Sequence, residues 1–339
     1  MADGSRAAEP NPLRRWPLRA STLGTVYCVL SALFYTLMEI CRRELSIDCD
    51  PVWVNCVQAS VSTVVFGVYL VFRSIRGRSA WPPLTVAAGL MTLGAVTQLG
   101  ASSYQWSLGV IGLAIGNPLQ MGVMLAAAAL LGWFVLRERV SWRGVTAIVL
   151  ITVSVVSLSL GAEAANEALH VAESATLLKV LLGVSAACFA GVAFAVLTVG
   201  MRKTATASTS PEAIVFFINV MGILFLGPWA LVRLGLDGVA ATSPRDLAVM
   251  LATGACNLMA FLLVAKALQL TTVVRVNVIN NALTTVLTVA AGILIFAEPS
   301  NRELQIGILL TFAGIVLISY TDGEDAGETT AATASEAQE

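Results

Sequence analysis

Amide side chains within two long apolar stretches are the residues of this sequence best suited to binding a small molecule. The first stretch contains Asn117 and Gln120, and the second contains Asn277, Asn280 and Asn281. Residues three or four apart share one face of a helix. Polar groups inside a membrane span are expensive and are therefore functional candidates, although hydrogen bonds between helices are a simpler role. The spacing predicts two amide-bearing helix faces that either line a polar cavity or tie neighbouring helices together.

Two charged residues within the apolar stretches add possible electrostatic contacts. Arg275 has no acid near it in the sequence, so its guanidinium either attracts a carboxylate or phosphate or extends to the lipid headgroups. Glu39 is an acid within a predicted span, where a carboxylate can carry a coupling proton. Arg42 and Arg43 follow it by three and four residues, a spacing that favours a local ion pair instead.

Three further polar side chains of the first half are candidate substrate contacts. Tyr35 lies one turn before Glu39, Gln98 lies in the third predicted span, and Tyr104 lies at the outer end of that span. Tyr104 and the nearby Trp106 also suit an interfacial aromatic belt, which is the simpler interpretation of this tyrosine.

Several classes of function are disfavoured by what the spans lack. They contain no grouping of His, Cys and Asp or Glu at catalytic or metal-ligand spacing, and the chain has no G-x-x-x-x-G-K-[ST] phosphate loop. The basic residues are spread over short loops without a patch for nucleic acid. We therefore predict no enzyme activity, cofactor, metal or nucleic-acid partner. Cys41 and Cys49 flank a short loop, and two free thiols are favoured over a disulfide.

The composition indicates an integral membrane protein. Hydrophobic residues make up 57% of the chain and charged residues 12%, with a mean hydropathy of +0.82. A spanning helix needs about 20 apolar residues. Apolar runs of this length predict an all-α membrane protein with ten transmembrane helices, at 21–41, 52–73, 84–103, 109–136, 142–160, 180–200, 212–233, 246–267, 272–296 and 304–320.

An internal repeat relates the two halves of the chain. Shifting the sequence by 160 positions (277 − 117 = 160) places Asn117 on Asn277 and Glu138 on Glu298. Five spans per copy is an odd number, so the second copy starts from the opposite side and the two five-helix repeats are inverted. This divides the chain into an N-terminal segment (1–20), a first repeat (21–160), an outer linker (161–178), a second repeat (179–320) and a disordered acidic tail (321–339).

The distribution of Lys and Arg predicts the topology. With the N-terminus inside, the cytoplasmic side holds Arg6, Arg14, Arg15, Arg19, Arg73, Arg76, Arg78, Arg137, Arg139, Arg143, Arg202, Lys203 and Lys266. The outer side holds Arg42, Arg43, Lys179, Arg233, Arg245 and Arg302. Because cytoplasmic loops are enriched in basic residues, both termini are predicted to be cytoplasmic, in the plasma (inner) membrane.

The residues around the repeated glutamate resemble the drug/metabolite transporter superfamily, in particular its ten-helix EamA-like members. In each copy a glutamate is followed by a short polar residue and then a small residue, namely Glu138, Ser141 and Ala147, then Glu298, Asn301 and Gly307. The resemblance implies a central cavity lined mainly by the first, third, fourth, sixth, eighth and ninth helices, and alternating access by rocking of the two halves. It also implies that Glu138 and Glu298, the structural markers of the repeat, cap or anchor turns and do not bind substrate.

These observations predict a secondary transporter for a small polar or amphipathic metabolite, with membrane lipid and a possible homodimer as its partners. The alternative is a channel or cation permease on the same scaffold, which would favour acids along the pore.

The fifth and tenth spans carry small residues at matched positions, a pattern that predicts helix packing away from the substrate.

Overall fold

The computed structural model describes residues 17–77, 81–136, 177–204, 209–270, 273–298 and 300–317, together with parts of 142–158. The side chains at 17–21, 136, 177, 202, 204, 273–275, 277 and 278 lie outside this description. The described residues form helices joined by short turns and contain no β-strand.

The helices follow the order of the predicted spans. They are α1 (Pro17–Asp48), α2 (Pro51–Ile75), α3 (Leu84–Ile111), α4 (Leu113–Leu131), α5 (helical residues within 142–158), α6 (Leu177–Thr204), α7 (Pro211–Ala240), α8 (Pro244–Leu268), α9 (Val273–Leu294) and α10 (302–317). A π-helical turn, Gly132–Leu136, extends α4, and another, Gly222–Leu226, lies within α7. Among the described residues, seven helices are long and apolar enough to cross a membrane: α1 to α4 and α6 to α8. The count of ten spans stays a prediction.

The starts of α2, α7 and α8 are specified by a capping residue followed by proline. The Asp50 carboxylate accepts hydrogen bonds from the Val52 and Trp53 amides at 2.9 and 3.2 Å. Proline at the first helical position lacks an amide that would otherwise be unpaired, and its fixed φ suits the helix. Ser210 and Ser243 cap α7 and α8 in the same way. These signals explain why the helices begin where they do.

Two helix ends differ from the sequence prediction. Helix α1 continues to Asp48, beyond the predicted end at 41. Arg42 is held there by side chains of α2, and Arg43 by Glu298 of the turn between α9 and α10. The break between α3 and α4 lies at Gly112, so the predicted break between 103 and 109 was wrong. Gly112 has a φ of 79°, a left-handed conformation that glycine adopts without strain.

The two halves meet through a close helix contact that occurs twice. A Cβ added to Gly94 of α3 would lie 2.6 Å from the Ile218 carbonyl oxygen of α7. One added to Gly254 of α8 would lie 2.7 Å from the Gln58 carbonyl oxygen of α2. Both partners are displaced by the repeat interval (254 − 94 = 160 and 218 − 58 = 160), so each half presents the same pair of surfaces to the other.

A second reciprocal contact fixes the relative direction of equivalent helices. A Cβ at Gly67 of α2 would lie 3.0 Å from the Phe216 ring of α7, and one at Gly227 of α7 would lie 3.6 Å from the Cys56 sulfur of α2. The early part of α2 therefore meets the later part of α7, and the reverse. These two helices are equivalents in the repeat, and they pack antiparallel.

Helices α5 and α10 pack against each other. The Ser154 hydroxyl donates to the Gly307 carbonyl at 2.7 Å and contacts the Thr311 hydroxyl. A Cβ at Gly307 would lie 2.6 Å from Leu158, so only glycine permits this approach. No described residue of either helix lines the cavity identified below.

Candidate functional site

A cavity of about 380 Å³ lies between the two halves of the molecule. Its volume is within the range of small-molecule sites, about 300–1,000 Å³. Residues of α1 to α4 and α6 to α9 line it, and most of its polar side chains are uncharged amides: Asn55, Gln58, Gln98, Asn117, Gln120, Asn219, Asn257, Asn280 and Asn281.

The structure brings together most of the site residues predicted from sequence. Those that line the cavity are Tyr35, Glu39, Gln98, Tyr104, Asn117, Gln120, Asn280 and Asn281. Arg275 and Asn277 belong to α9, but their side chains lie outside the described residues, as does the whole of Glu138. The site roles of Arg275 and Asn277 and the structural role of Glu138 stay predictions.

Tyr104 is a cavity residue and does not belong to an aromatic belt. Its side chain is 1% exposed, and its hydroxyl donates to the Glu39 carboxylate at 3.0 Å. Because α3 runs on to Ile111, Tyr104 lies about two turns inside the helix end. Trp106, two residues later, is 37% exposed. The simpler sequence interpretation of Tyr104 was therefore wrong, because it depended on a helix end placed too early.

Arg42 is buried against neutral acceptors in the cavity wall. Its Nε and Nη2 atoms donate to Gln58 Oε1 at 3.1 and 2.8 Å, and Nη2 also donates to Asn55 Oδ1 at 3.2 Å. The guanidinium lies 5.8 Å from the centroid of the Tyr104 ring. Within the part of the chain that is described, neither Arg42 nor Arg43 forms an ion pair with Glu39. The local ion pair favoured by their spacing is not formed.

Asn55 and Gln58 are site residues that the sequence reasoning missed. They lie three residues apart near the start of α2 and face the cavity together. The Asn55 amide also donates to the Pro51 carbonyl at 2.8 Å. The signal that could have identified them is the same spacing of buried amides that singled out Asn117 and Gln120 on α4.

Asn117 both lines the cavity and joins two helices. Its Oδ1 accepts a hydrogen bond from the Thr288 hydroxyl of α9 at 2.9 Å. The sequence left open whether this amide lines a cavity or ties helices together, and the structure shows that it does both. The bond holds α4 against α9, its counterpart in the second half.

Glu298 closes a contact between the halves outside the cavity. Its carboxylate accepts from the Leu113 and Ala114 amides at 2.8 and 2.7 Å, and from Arg43 Nε at 2.8 Å. A carboxylate at a helix N-terminus satisfies unpaired amides and favours the helix dipole. A Cβ at Gly112 would lie 2.6 Å from this carboxylate, so glycine leaves the space for it. Glu298 therefore caps α4 of the other half and does not line the cavity.

Among the described residues, three ion pairs join the halves at the end of the molecule that contains the α1–α2 turn. They are Arg43–Glu298, Arg233–Asp50 at 3.0 Å, and Arg245–Glu44. The Trp53 indole also donates to the Thr242 hydroxyl at 3.0 Å. We call this region the ion-pair end. Cys41 and Cys49 are free thiols.

Comparison with known proteins matches each half of the chain to the same family model. The model of the EamA-like transporter family matches residues 22–160 and 181–320. A solved structure, described only as a crystal structure of a protein, superposes with a TM-score of 0.56 over 87% of this chain and 96% of that chain. Its 14% sequence identity means that the likeness concerns the fold alone. No curated protein matches the sequence.

Proposed function

Because the chain belongs to the EamA-like transporter family, we propose that it is a secondary active transporter that moves a small polar or amphipathic solute by alternating access. The family makes it an integral membrane protein that transports small solutes. The substrate class, the mechanism and the orientation are the parts that we propose.

The observation that carries this proposal is the amide-lined cavity between the two repeats. Its volume of about 380 Å³ suits a metabolite, and its polar groups are distributed over both halves. Among the described lining residues, Glu39 is the acidic member and Arg42 the basic member. A cation channel would favour several acids along its path. The mixed, mostly neutral lining favours a carrier over the channel or cation permease alternative.

The ion-pair end supports alternating access. Each of its three ion pairs joins one residue of the first repeat to one of the second. Rocking of the two halves would separate these pairs and open the cavity on this side. Of the three, Arg245–Glu44 is exposed on both sides and contributes about 0–1 kcal/mol, so this pair breaks without a large barrier.

The reciprocal contacts support inverted repeats. Equivalent helices that pack antiparallel, as α2 and α7 do, are related by an axis perpendicular to their length, which would lie in the membrane plane. With both termini in the cytoplasm, the ion-pair end faces outwards. The structure then corresponds to a state closed to the outside.

Glu39 is our candidate for the coupling group. It lies in the cavity wall, 6% exposed, and its carboxylate accepts a hydrogen bond from Tyr104 but has no ion-pair partner among the described residues. A carboxylate in such a place can alternate between protonated and ionised forms as the cavity changes sides.

Counterflow in proteoliposomes tests the proposal. The purified full-length protein is reconstituted, and compounds that raise its melting temperature in a metabolite panel are used as labelled probes. We expect saturable exchange of labelled for unlabelled probe without ATP. We also expect Glu39→Gln to retain exchange but lose accumulation driven by a pH gradient. An ohmic current without counterflow would support the channel, and equal gradient-driven uptake in both proteins would remove Glu39 from coupling.

A further inference from the structure

Two buried polar atoms on α9 belong to residues that line the cavity and have no hydrogen-bond partner among the described residues. Asn280 is 8% exposed and Thr284 is 3% exposed, and both residues line the cavity. Asn280 Oδ1 and Thr284 Oγ1 have no partner among the described residues. A buried polar group without a partner is destabilising, so such groups commonly have a function or a ligand.

Thr284 differs in this respect from the other threonines of its helix. A threonine within a helix commonly donates its hydroxyl to the carbonyl four residues earlier. Thr285 donates to the Asn281 carbonyl at 2.8 Å. The Thr288 hydroxyl lies 2.9 Å both from the Thr284 carbonyl and from Asn117 Oδ1, so it also has an acceptor for its one hydrogen. The Thr284 hydroxyl makes no such bond, so a rotation about its Cα–Cβ bond can turn it toward a group in the cavity without breaking a hydrogen bond.

The remaining unpartnered buried atoms do not share this setting. They are Ser102 Oγ and Gln105 Oε1 of α3. Neither residue lines the cavity. Within the part of the chain that is described, only the α9 pair combines burial and a missing partner with a place on residues that line the cavity.

The chemistry of the pair defines the group that would satisfy it. Residues four apart lie on one helix face, one turn from each other. An asparagine Oδ1 accepts, whereas a threonine hydroxyl both donates and accepts. The matching group has a donor and an acceptor within a few ångströms. The charged lining residues Glu39 and Arg42 belong to α1 and already bond to Tyr104 and Gln58. The α9 face itself offers neutral partners.

We propose that Asn280 and Thr284 form a subsite for an uncharged hydroxyl or carboxamide group of the transported solute. This inference rests on the proposed transport function. The subsite prefers solutes that carry the group, because only these supply the hydrogen bonds that the two buried atoms lack. The expected preference is about 5- to 150-fold, from the cost of an unsatisfied buried polar group.

Matched pairs of compounds test the subsite on the purified full-length protein. The pairs are tyramine and phenethylamine, inosine and its deoxy analogue, and nicotinamide and its methyl-ketone isostere, in which a methyl replaces the amide nitrogen. Dissociation constants come from thermal-shift titrations. At least one hydroxyl- or amide-bearing member should bind the unmodified protein about 5-fold or more tightly than its partner. Equal binding within every pair would overturn the subsite.

Two variants and a control assign the preference to the α9 pair. Thr284→Val removes the hydroxyl at nearly constant shape and should reduce the preference to less than about 2-fold, with unchanged affinity for the member that lacks the group. Asn280→Leu should have the same effect. Thr285→Val is the matched control, because its hydroxyl bonds to the backbone of its own helix. It should keep the full preference.

The outcomes separate the subsite from the transport proposal. If Thr284→Val keeps the preference while counterflow is observed, the subsite is wrong and the transporter stands. If the preference is lost in Thr284→Val but no bound compound shows counterflow, the subsite stands as a binding site and transport is refuted.

Discussion

Replacing Glu298 by alanine should strongly destabilise the protein. The substitution removes a carboxylate that is 8% exposed and accepts three hydrogen bonds, two from the start of α4 and one from Arg43. It leaves the Leu113 and Ala114 amides without their acceptor and Arg43 without its counter-charge.

The magnitude follows from these contacts. Removing one partner of a buried ion pair costs about 3–5 kcal/mol, because the remaining charge is left uncompensated. Loss of a helix N-cap alone accounts for about 1 kcal/mol of this. Arg43 is 15% exposed and retains its contact with the Phe296 ring, 5.6 Å from the centroid, so the lower part of the range is expected.

Thermal unfolding of the purified protein in one detergent measures the effect. Glu303→Ala is the matched control, because Glu303 is an exposed glutamate five residues away on α10. Glu298→Ala should lower the apparent melting temperature several times more than Glu303→Ala. Arg43→Gln combined with Glu298→Ala should lose less than the sum of the two single changes, since the residues share one interaction.

Gly112→Ala tests the same contact from the other side. The added Cβ would lie 2.6 Å from Glu298 Oε1, in a residue whose φ of 79° already disfavours any side chain. We expect a loss comparable to that of Glu298→Ala. Equal melting temperatures for Glu298→Ala, Gly112→Ala and the Glu303→Ala control would refute the reasoning that Glu298 holds the two repeats together.

The remaining predictions concern anion binding and topology. If Arg275 binds an anionic group of the solute, Arg275→Gln should abolish saturable uptake while Arg275→Lys retains part of it, since lysine keeps the charge but not the planar fork. Unchanged uptake in both variants would leave Arg275 with contacts to lipid headgroups. If both termini are cytoplasmic, a reporter fused after Glu339 should resist labelling in intact cells, and external labelling there would reverse the topology.

Local sequence patterns were sufficient to predict the amide faces and the repeat. Asn117 and Gln120 share a helix face by spacing alone, and their place on the cavity wall follows once α4 is recognised as a helix between the two halves. The 160-residue interval was equally visible, because it is a property of the sequence itself. The family match over 22–160 and 181–320 agrees with it.

The errors arose where distant residues decide local structure. Helix α1 continues past the predicted end, and Arg43 there has its partner 255 residues away, in Glu298. Tyr104 is buried because α3 continues to Gly112, and nothing local distinguishes that glycine from Gly109 or Gly116 in the same apolar region. No count of hydrophobic residues reveals such long-range partners.

The placement of Glu298 also imposes an order on biosynthesis. The amides at the start of α4 receive their acceptor from a residue 185 positions later than Leu113. Until the ribosome has produced that later segment, the first repeat has a helix start that lacks this cap. A first repeat expressed alone would therefore be less stable than the same repeat in the full chain, because α4 would lack the cap that Glu298 provides.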